Sequence, residues 1–324
     1  MLKASWNNGI SIKTDNIELI LDPIKESELP SFVSHAHRDH ICGLRSDYCI
    51  KISTIPTISI GELILKKKIK NAIPCNYGEP IDFHELELQL INSGHVFGSA
   101  SLILKDRDVT LLYTGDLNFT DSLIQKAISP HECDILIIET TYGRPGIVFP
   151  PREQIYLDII QWAAKTITEK HLPILLVYPL GKAQEITKLF NLYTSIPVVS
   201  HPSISRINFI FREFGNDLIY YDILNYGDEI IKSGDCVCLF PSNYNISLLK
   251  SKYPNSKIAI VTGWAAVYKF INFDACFPLS SHADYPQLID FTLSCRPKKV
   301  FTIHGYAREF ASRLTKMGIE AHPI

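Results

Sequence analysis

The stretch Ser34-His35-Ala36-His37-Arg38-Asp39-His40 sets three imidazoles and one carboxylate almost side by side. Imidazole nitrogen and carboxylate oxygen together suit borderline divalent ions such as zinc, and no cysteine stands among them. In an extended or turning segment His35 and His37 project to the same side, while Asp39 and His40 lie past a bend. One loop can therefore offer two ligands to one ion and two to a second ion a few Å away. A polar loop that gathers three histidines by chance is the competing reading, and the order His-x-His-x-Asp-His weighs against it.

Such a loop has to be held by regular elements, and the flanking sequence supplies them. Alternating strands from Ile10 to Leu21 close on Asp22-Pro23, where an acid can brace the loop by hydrogen bonding. The run Leu86 to Ile91 alternates and leads to Ser93-Gly94-His95. Val109 to Tyr113 leads to Gly115-Asp116, Asp134 to Ile138 leads to Glu139, and Cys276 to Leu279 leads to Ser281-His282. Val300 to Ile303 leads to His304. Apolar strands that repeatedly end in His, Asp or Glu are expected to set those groups along one edge of a sheet system, where ligand sites in α/β folds form. A strand near Tyr48 to Ser53 and a helix through Gly61 to Leu65 complete this part. The charge run Lys66 to Lys70 reads as a solvated helix end that complements the helix dipole, with a phosphate contact as the alternative.

The pattern changes between Gly146 and Val261. Pro145, Pro150 and Pro151 mark a boundary. Beyond them come a helix from Arg152 to about Lys170, a buried strand Ile174 to Tyr178, a helix opened by Gly181, and further β and α units. This alternation implies a parallel sheet. Metal-ligand types resume only afterwards, so the expected organisation is one domain over 1–146 and 262–324, interrupted by an inserted α/β domain over 147–261.

Composition narrows the class of protein. The chain has 324 residues, 46% of them hydrophobic, enough for one large domain or two ordinary ones. A formal charge of −2 gives no global attraction to nucleic acid, so such binding would need local patches. No apolar run is long enough to span a membrane, and the first residues lack the apolar core of a signal peptide. The eight scattered cysteines follow no ligand spacing and read as free thiols, which points to a reducing, cytoplasmic setting.

The His-x-His-x-Asp-His loop resembles the signature of the metallo-β-lactamase superfamily. Ser93-Gly94-His95, Thr114-Gly115-Asp116, Glu139-Thr140-Thr141-Tyr142-Gly143, Gly181-Lys182-Ala183-Gln184-Glu185, Ser281-His282-Ala283-Asp284 and His304-Gly305 resemble its β-CASP branch of DNA and RNA nucleases, over nearly the whole length. The resemblance implies an α/β class fold, an αββα sandwich carrying the inserted β-CASP domain. It implies two divalent metal ions, zinc foremost with manganese as alternative. It would place His35, His37 and His95 on one ion, Asp39, His40 and His304 on the other, and Asp116 between them. Asp22 would brace the loop without being a ligand. Glu139, His282 and His304 fall on the positions specific to the branch, and the catalytic group would be Asp39, Asp116, Glu139 and His282.

Chemistry supports the Glu139 and His282 assignment beside the resemblance. Phosphodiester cleavage expels an alkoxide that needs a proton, and a histidine held by a carboxylate has its tautomer fixed and its pKa raised, as a general acid requires. The competing assignment makes His282 a ligand and Glu139 a satisfied core acid. Lys182, at a helix start opened by Gly181, could hold a phosphate together with backbone N–H groups, and His201 could line a cleft. Thr141-Tyr142-Gly143-Arg144-Pro145, Tyr178-Pro179-Leu180-Gly181-Lys182 and Thr262-Gly263-Trp264 look most like compact ligase-associated DNA exonucleases. That subgroup implies DNA in preference to RNA, a role in repair, and association with a DNA ligase or repair machinery. Tyr306 follows Gly305 where the RNA-processing members usually carry glutamate, which favours the same subgroup. Ala265-Ala266-Val267 lacks the arginine expected after Trp264. A small-molecule hydrolase fits the long insert poorly, and a non-catalytic scaffold would have lost ligands that are all present here.

Overall fold

The structure is a computed structural model that describes residues 2–324. The chain forms two compact units, one of 1–121, 125–147 and 282–324, the other of 122–124 and 148–281.

In the first unit, β1 (Lys3–Trp6), β2 (Ile10–Lys13), β3 (Glu18–Leu21), β4 (Ser31–Phe32), β5 (Lys51–Thr54) and, after helix α1 (Ile55–Leu65), β6 (Ala72–Cys75) form a six-stranded sheet in chain order. A second sheet starts from β7 (Pro80–Phe83), β8 (Leu86–Asn92), β9 (Ala100–Asp106), β10 (Val109–Tyr113) and β11 (Ile135–Glu139). Period-two alternation sorts its side chains onto two faces. Leu88, Leu90, Leu111, Tyr113 and Ile137 meet Ile12, Leu21, Phe32 and Ile52 of the first sheet in one core. Ile91, Leu112, Leu136 and Ile138 turn the other way, onto a second core.

The second unit contains α2 (Arg152–Thr168), β12 (Leu172–Val177), α3 (Lys182–Tyr193), β13 (Val198–Ser200), α4 (Pro202–Glu213), β14 (Tyr221–Asp222), α5 (Asp228–Ser233), β15 (Val237–Pro241), α6 (Ile246–Lys252), β16 (Ser256–Val261) and β17 (Ala275–Phe277). The strands form a parallel sheet in the order β14-β13-β15-β12-β16-β17. Such a sheet is covered on both faces, which explains the unbroken apolar run of β12. Leu175 and Val177 enter one core, Ile174 and Leu176 the opposite one.

The chain then returns to the first unit with α7 (Tyr285–Cys295), β18 (Lys299–Ile303), α8 (Ala307–Lys316) and β19 (Glu320–Pro323). The second sheet is thereby completed in the order β19-β18-β11-β10-β9-β8-β7. Leu288 and Phe291 of α7, with Phe310 and Leu314 of α8, cover its outer face. With α1 against the other sheet, the layers are helix, sheet, sheet, helix, the αββα sandwich expected from the sequence.

One expectation changes, and a second, the solvated Lys66 to Lys70 run, gains surface partners. The second unit continues to Ser281 rather than ending at 261, because β17 pairs in parallel with β16, Ala259 opposite Ala275 and Val261 opposite Phe277. The strand leading to His282 therefore belongs to the second unit's sheet, so the polar strand ends do not share one sheet system. The Lys66 to Lys70 run is also engaged: Lys67 and Lys70 face Asp47 at 3.0 and 3.4 Å, and Lys68 faces Glu62 at 2.6 Å. Exposed pairs of this kind contribute little stability. Among the described residues no helix is long and apolar enough to cross a membrane, and the eight cysteines are free.

Candidate metal centre

Asp22 is the hub of the loop that follows β4. It leaves β3 in a left-handed conformation, φ 45°, and is almost fully buried. Its Oδ1 accepts from the Ser34 N–H at 2.7 Å, while Oδ2 accepts from Ser34 Oγ at 2.5 Å and Tyr113 Oη at 2.7 Å and meets His40 Nδ1 at 2.8 Å. Burial pushes this carboxyl up, but the His40 charge and the Ser34 hydrogen bonds outweigh it and hold it below the usual range. Removing a partner of this kind typically costs about 10- to 100-fold in metal affinity. Asp22→Asn keeps the shape but loses acceptor capacity. It is expected to weaken metal binding by about that factor and to lower the melting temperature, as read by chelator competition and thermal unfolding. Unchanged affinity would remove Asp22 from its bracing role.

Two further loops close on this one. Gly115, at φ 55°, lets the turn after β10 approach so closely that a Cβ there would sit 2.7 Å from Ser34 Cβ. The turn after β8 carries His95 and is tied down through Gly98, whose carbonyl accepts from the hydroxyls of Thr54 and Thr57.

The result is a compact set of donors. His37 Nδ1 lies 2.9 Å from His35 Nε2 and 3.1 Å from His95 Nε2. Asp116 Oδ2 lies 3.5 Å from both His35 Nε2 and His95 Nε2. Ligands of a tetrahedral zinc, each about 2.0–2.1 Å from the ion, are about 3.3 Å apart, so these four atoms have the spacing of a coordination shell. Asp116 Oδ1 turns the other way, 3.6 Å from His40 Nε2. His40, Asp116 and His304 form a second group whose donor atoms all lie within 4.8 Å of one another. One carboxylate thus gives one oxygen to each group.

Electrostatics suit cations here. Burial raises the Asp116 carboxyl despite the His40 charge beside it. Burial alone would discharge His40, but Asp116 and Asp22 prevail and push its pKa up to about 10. His35 is held well below the usual imidazole range by burial and then by its histidine neighbours, so it presents a neutral nitrogen. Ligands must be deprotonated, so an ion held at His40 would displace a proton. The donor set fits divalent ions of the zinc type.

A third group adjoins the second through Asp116. His282 Nδ1 meets Glu139 Oε1 at 2.9 Å, and Glu139 is fully buried. Glu139 also accepts from the Leu117 N–H at 3.3 Å and the Thr141 N–H at 2.8 Å. Burial opposes its charge, but His282 and the Thr141 bonds keep it below the usual carboxylate range. Neighbouring β18 runs parallel to β11, with Glu139 opposite Ile303, so His304 leaves the sheet beside Thr140. Thr140 Oγ1 donates to the carbonyls of Ile303 and His304 at 2.9 and 2.8 Å. At Gly305 the backbones approach so closely that a Cβ would lie 2.4 Å from the Thr140 oxygen.

His35, His37, His40, His95, Asp116, Glu139, His282 and His304 lie together in these three adjoining groups. Asp39 does not: its side chain is 80% exposed, and Oδ2 stands 3.8 Å from His40 Nε2. An exposed carboxylate keeps its hydration, so the protein alone does not draw it inward. Lys182, in the second unit, differs from the expected phosphate cradle. It is 7% exposed, with Nζ over the Tyr178 ring at 4.8 Å. The Gly181 N–H already donates to Gln184 Oε1 at 2.7 Å, and the Ala183 N–H to the Tyr178 carbonyl at 3.2 Å. His201 caps α4 and packs against Phe240 and Tyr244. The sequence reading missed Ser34, Tyr113 and Thr140 as supports. Ser34 stands next to His35 and Tyr113 ends a strand, but their common partner Asp22 is distant in sequence.

A two-sheet sandwich with His and Asp loops gathered at its strand ends is a metal-centre architecture, and comparison with known proteins narrows it. Residues 276–323 match a family model described as "Zn-dependent metallo-hydrolase RNA specificity domain". The chain is 33% identical over 300 residues to a probable DNA ligase of Opitutus terrae, covering 91% of this chain and 28% of that protein. It is 29% identical over 366 residues to an RNase J-like protein of Methanocaldococcus jannaschii, covering 92% of this chain and 85% of that one. It is 25% identical to the RNase aCSPSF2 of Saccharolobus solfataricus, over 84% of this chain and 68% of that one. A solved structure from Enterococcus faecalis, a protein of unknown function, shares the fold at TM-score 0.67 and 14% identity, over 98% of this chain and 94% of that one. The chain belongs to the metallo-β-lactamase superfamily, in its β-CASP branch, and spans 28% of the length of the first of these relatives.

Proposed function

We propose that this chain is a two-metal phosphodiesterase that trims DNA as an exonuclease in repair. The observation that carries the chemistry is the Asp116 carboxylate, with one oxygen toward His35 and His95 and the other toward His40. In this reading His35, His37, His95 and Asp116 hold one ion, and His40, His304, Asp116 and Asp39 hold the other, with Asp39 turning in from solvent. Two divalent ions so held, zinc or manganese, supply an activated water and polarise a phosphoryl oxygen. Glu139 keeps Nδ1 of His282 engaged, so Nε2 is the atom that hands a proton to the departing alkoxide.

The choice of DNA draws on the probable DNA ligase of Opitutus terrae and on DNA ligase 6 of Arabidopsis thaliana, 24% identical over 89% of this chain and 22% of that protein. In both, the matching stretch is part of a longer chain named for ligation, which supports a partnership with a ligase; the eight free thiols support a reducing, cytoplasmic setting. An RNA substrate is the second reading, favoured by the RNA specificity description of 276–323 and by the RNase J-like relative.

End-labelled single-stranded DNA and RNA of one sequence, each with 5′-phosphate and 5′-hydroxyl ends, separate the two. The expected result is preferential loss of DNA, absent in an Asp39→Ala control. Preferential loss of RNA would make the chain an RNA-processing enzyme with the same centre. No loss of either would overturn the nucleic-acid function.

A further inference from the structure

We propose that Arg144, braced on the ring of Tyr306, grips a backbone phosphate of the strand being cleaved, next to the scissile linkage; this rests on the nucleic-acid function proposed above. Glu139 and Ile303 are register partners at the ends of the parallel strands β11 and β18. The two loops that follow are stitched together: Thr140 bonds the His304 carbonyl, and the Tyr306 N–H donates to the Thr140 carbonyl at 2.9 Å. Five residues beyond Glu139 stands Arg144, and two beyond His304 stands Tyr306. The Arg144 guanidinium lies over the Tyr306 ring, 5.8 Å from its centroid.

The two residues differ in their freedom. Arg144 is exposed and Tyr306 half-buried, and the Tyr306 backbone opens α8. Among the described residues Arg144 has no carboxylate within ion-pair distance. Arg152 is neutralised by Glu185 and Arg296 by Glu132, each at 2.8 Å. Arg144 is therefore an uncompensated cation on the rim that carries Glu139 and His304, held by a flat ring rather than by an acid. A cation–π contact uses the charge without tying the guanidinium N–H groups to an acid. A planar fork with free donors matches two oxygens of a phosphodiester, and it matches a base edge far less generally. The ligand class is the phosphate of a polynucleotide backbone, read without regard to base.

The test is binding rather than turnover, so it does not depend on loading with metal. A fluorescein-labelled single-stranded oligonucleotide is titrated in chelator-containing buffer at several salt concentrations, and anisotropy is followed. One phosphate contact on a single strand contributes about 0.7 to the slope of log K against log salt, worth about fivefold at 0.1 M. Arg144→Gln is expected to weaken binding by about that factor and to flatten the slope by about 0.7. Tyr306→Leu removes the ring and keeps the charge. It is expected to weaken binding about two- to fivefold with the slope retained. Arg296→Gln removes the same charge at the opposite end of the sheet and serves as the control. Equal effects from the Arg144 and Arg296 variants, or an unchanged slope in Arg144→Gln, would overturn the assignment while leaving the nuclease reading intact. Failure of the unsubstituted chain to bind either DNA or RNA would instead overturn the nucleic-acid reading itself.

Discussion

Asp116→Ala is expected to lower phosphodiester hydrolysis by more than about a thousandfold, which corresponds to about 4 kcal/mol of lost transition-state stabilisation. Among the described residues, Asp116 gives one carboxylate oxygen to each of the two histidine groups, at 3.5 and 3.6 Å. Truncation removes a donor from both at once, so metal content should fall together with rate. The fold should persist, because Asp116 belongs to the turn after β10 and the cores are apolar on both faces of that strand. Circular dichroism, metal analysis and single-turnover cleavage on one preparation provide the check. Full activity in the variant would refute the two-metal reading, and loss of the fold would turn Asp116 into a structural residue.

Glu139→Gln and His282→Asn are expected to behave differently. Each should cost about 10²–10⁴-fold in rate, the usual worth of a positioned general acid, while metal content stays at the level of the unsubstituted chain. The double variant should be no slower than the worse single one, because residues that act as a unit are not additive. A general acid must be protonated to work, so the normal rate falls as pH rises through its pKa, and His282→Asn should lose that alkaline fall. Metal loss in His282→Asn would mean that His282 is a ligand. A flat response to Glu139→Gln would reduce that acid to a satisfied core group.

Much of this centre was legible in the chain because the chemistry is local. His35, His37 and His40 share one loop, and His95, Asp116, Glu139 and His304 each follow an apolar strand. Alternation within β8 likewise revealed the face that enters the core between the sheets. What could not be read was pairing over distance. β17 looked like part of the core because it is followed by His282, yet its register is with β16, and strand partners are set by three-dimensional packing rather than by local pattern. Lys182 read as a phosphate holder because a lysine at a helix start opened by glycine is well placed for one. The nearby Tyr178 ring and Gln184 side chain reversed that, and neither can be weighed without the backbone path. Asp39 was assigned with its neighbours from the loop's spacing and the family resemblance, whereas hydration decides where an exposed carboxylate points.

Two residues of the centre are among those that hold the backbone in the left-handed region. Asp22 and His304 adopt left-handed conformations, φ 45° and 60°, that any side chain beyond glycine enters at a cost of about 1–2 kcal/mol. Both are kept there by what surrounds them, Asp22 by its ring of donors and His304 by Thr140. At His304 glycine would relieve that strain but remove a donor, whereas at Asp22 it would also remove the hydrogen bonds that hold the loop. Stability and chemistry pull in opposite directions at His304, and a more robust version of the protein must gain its margin elsewhere, in the apolar layers.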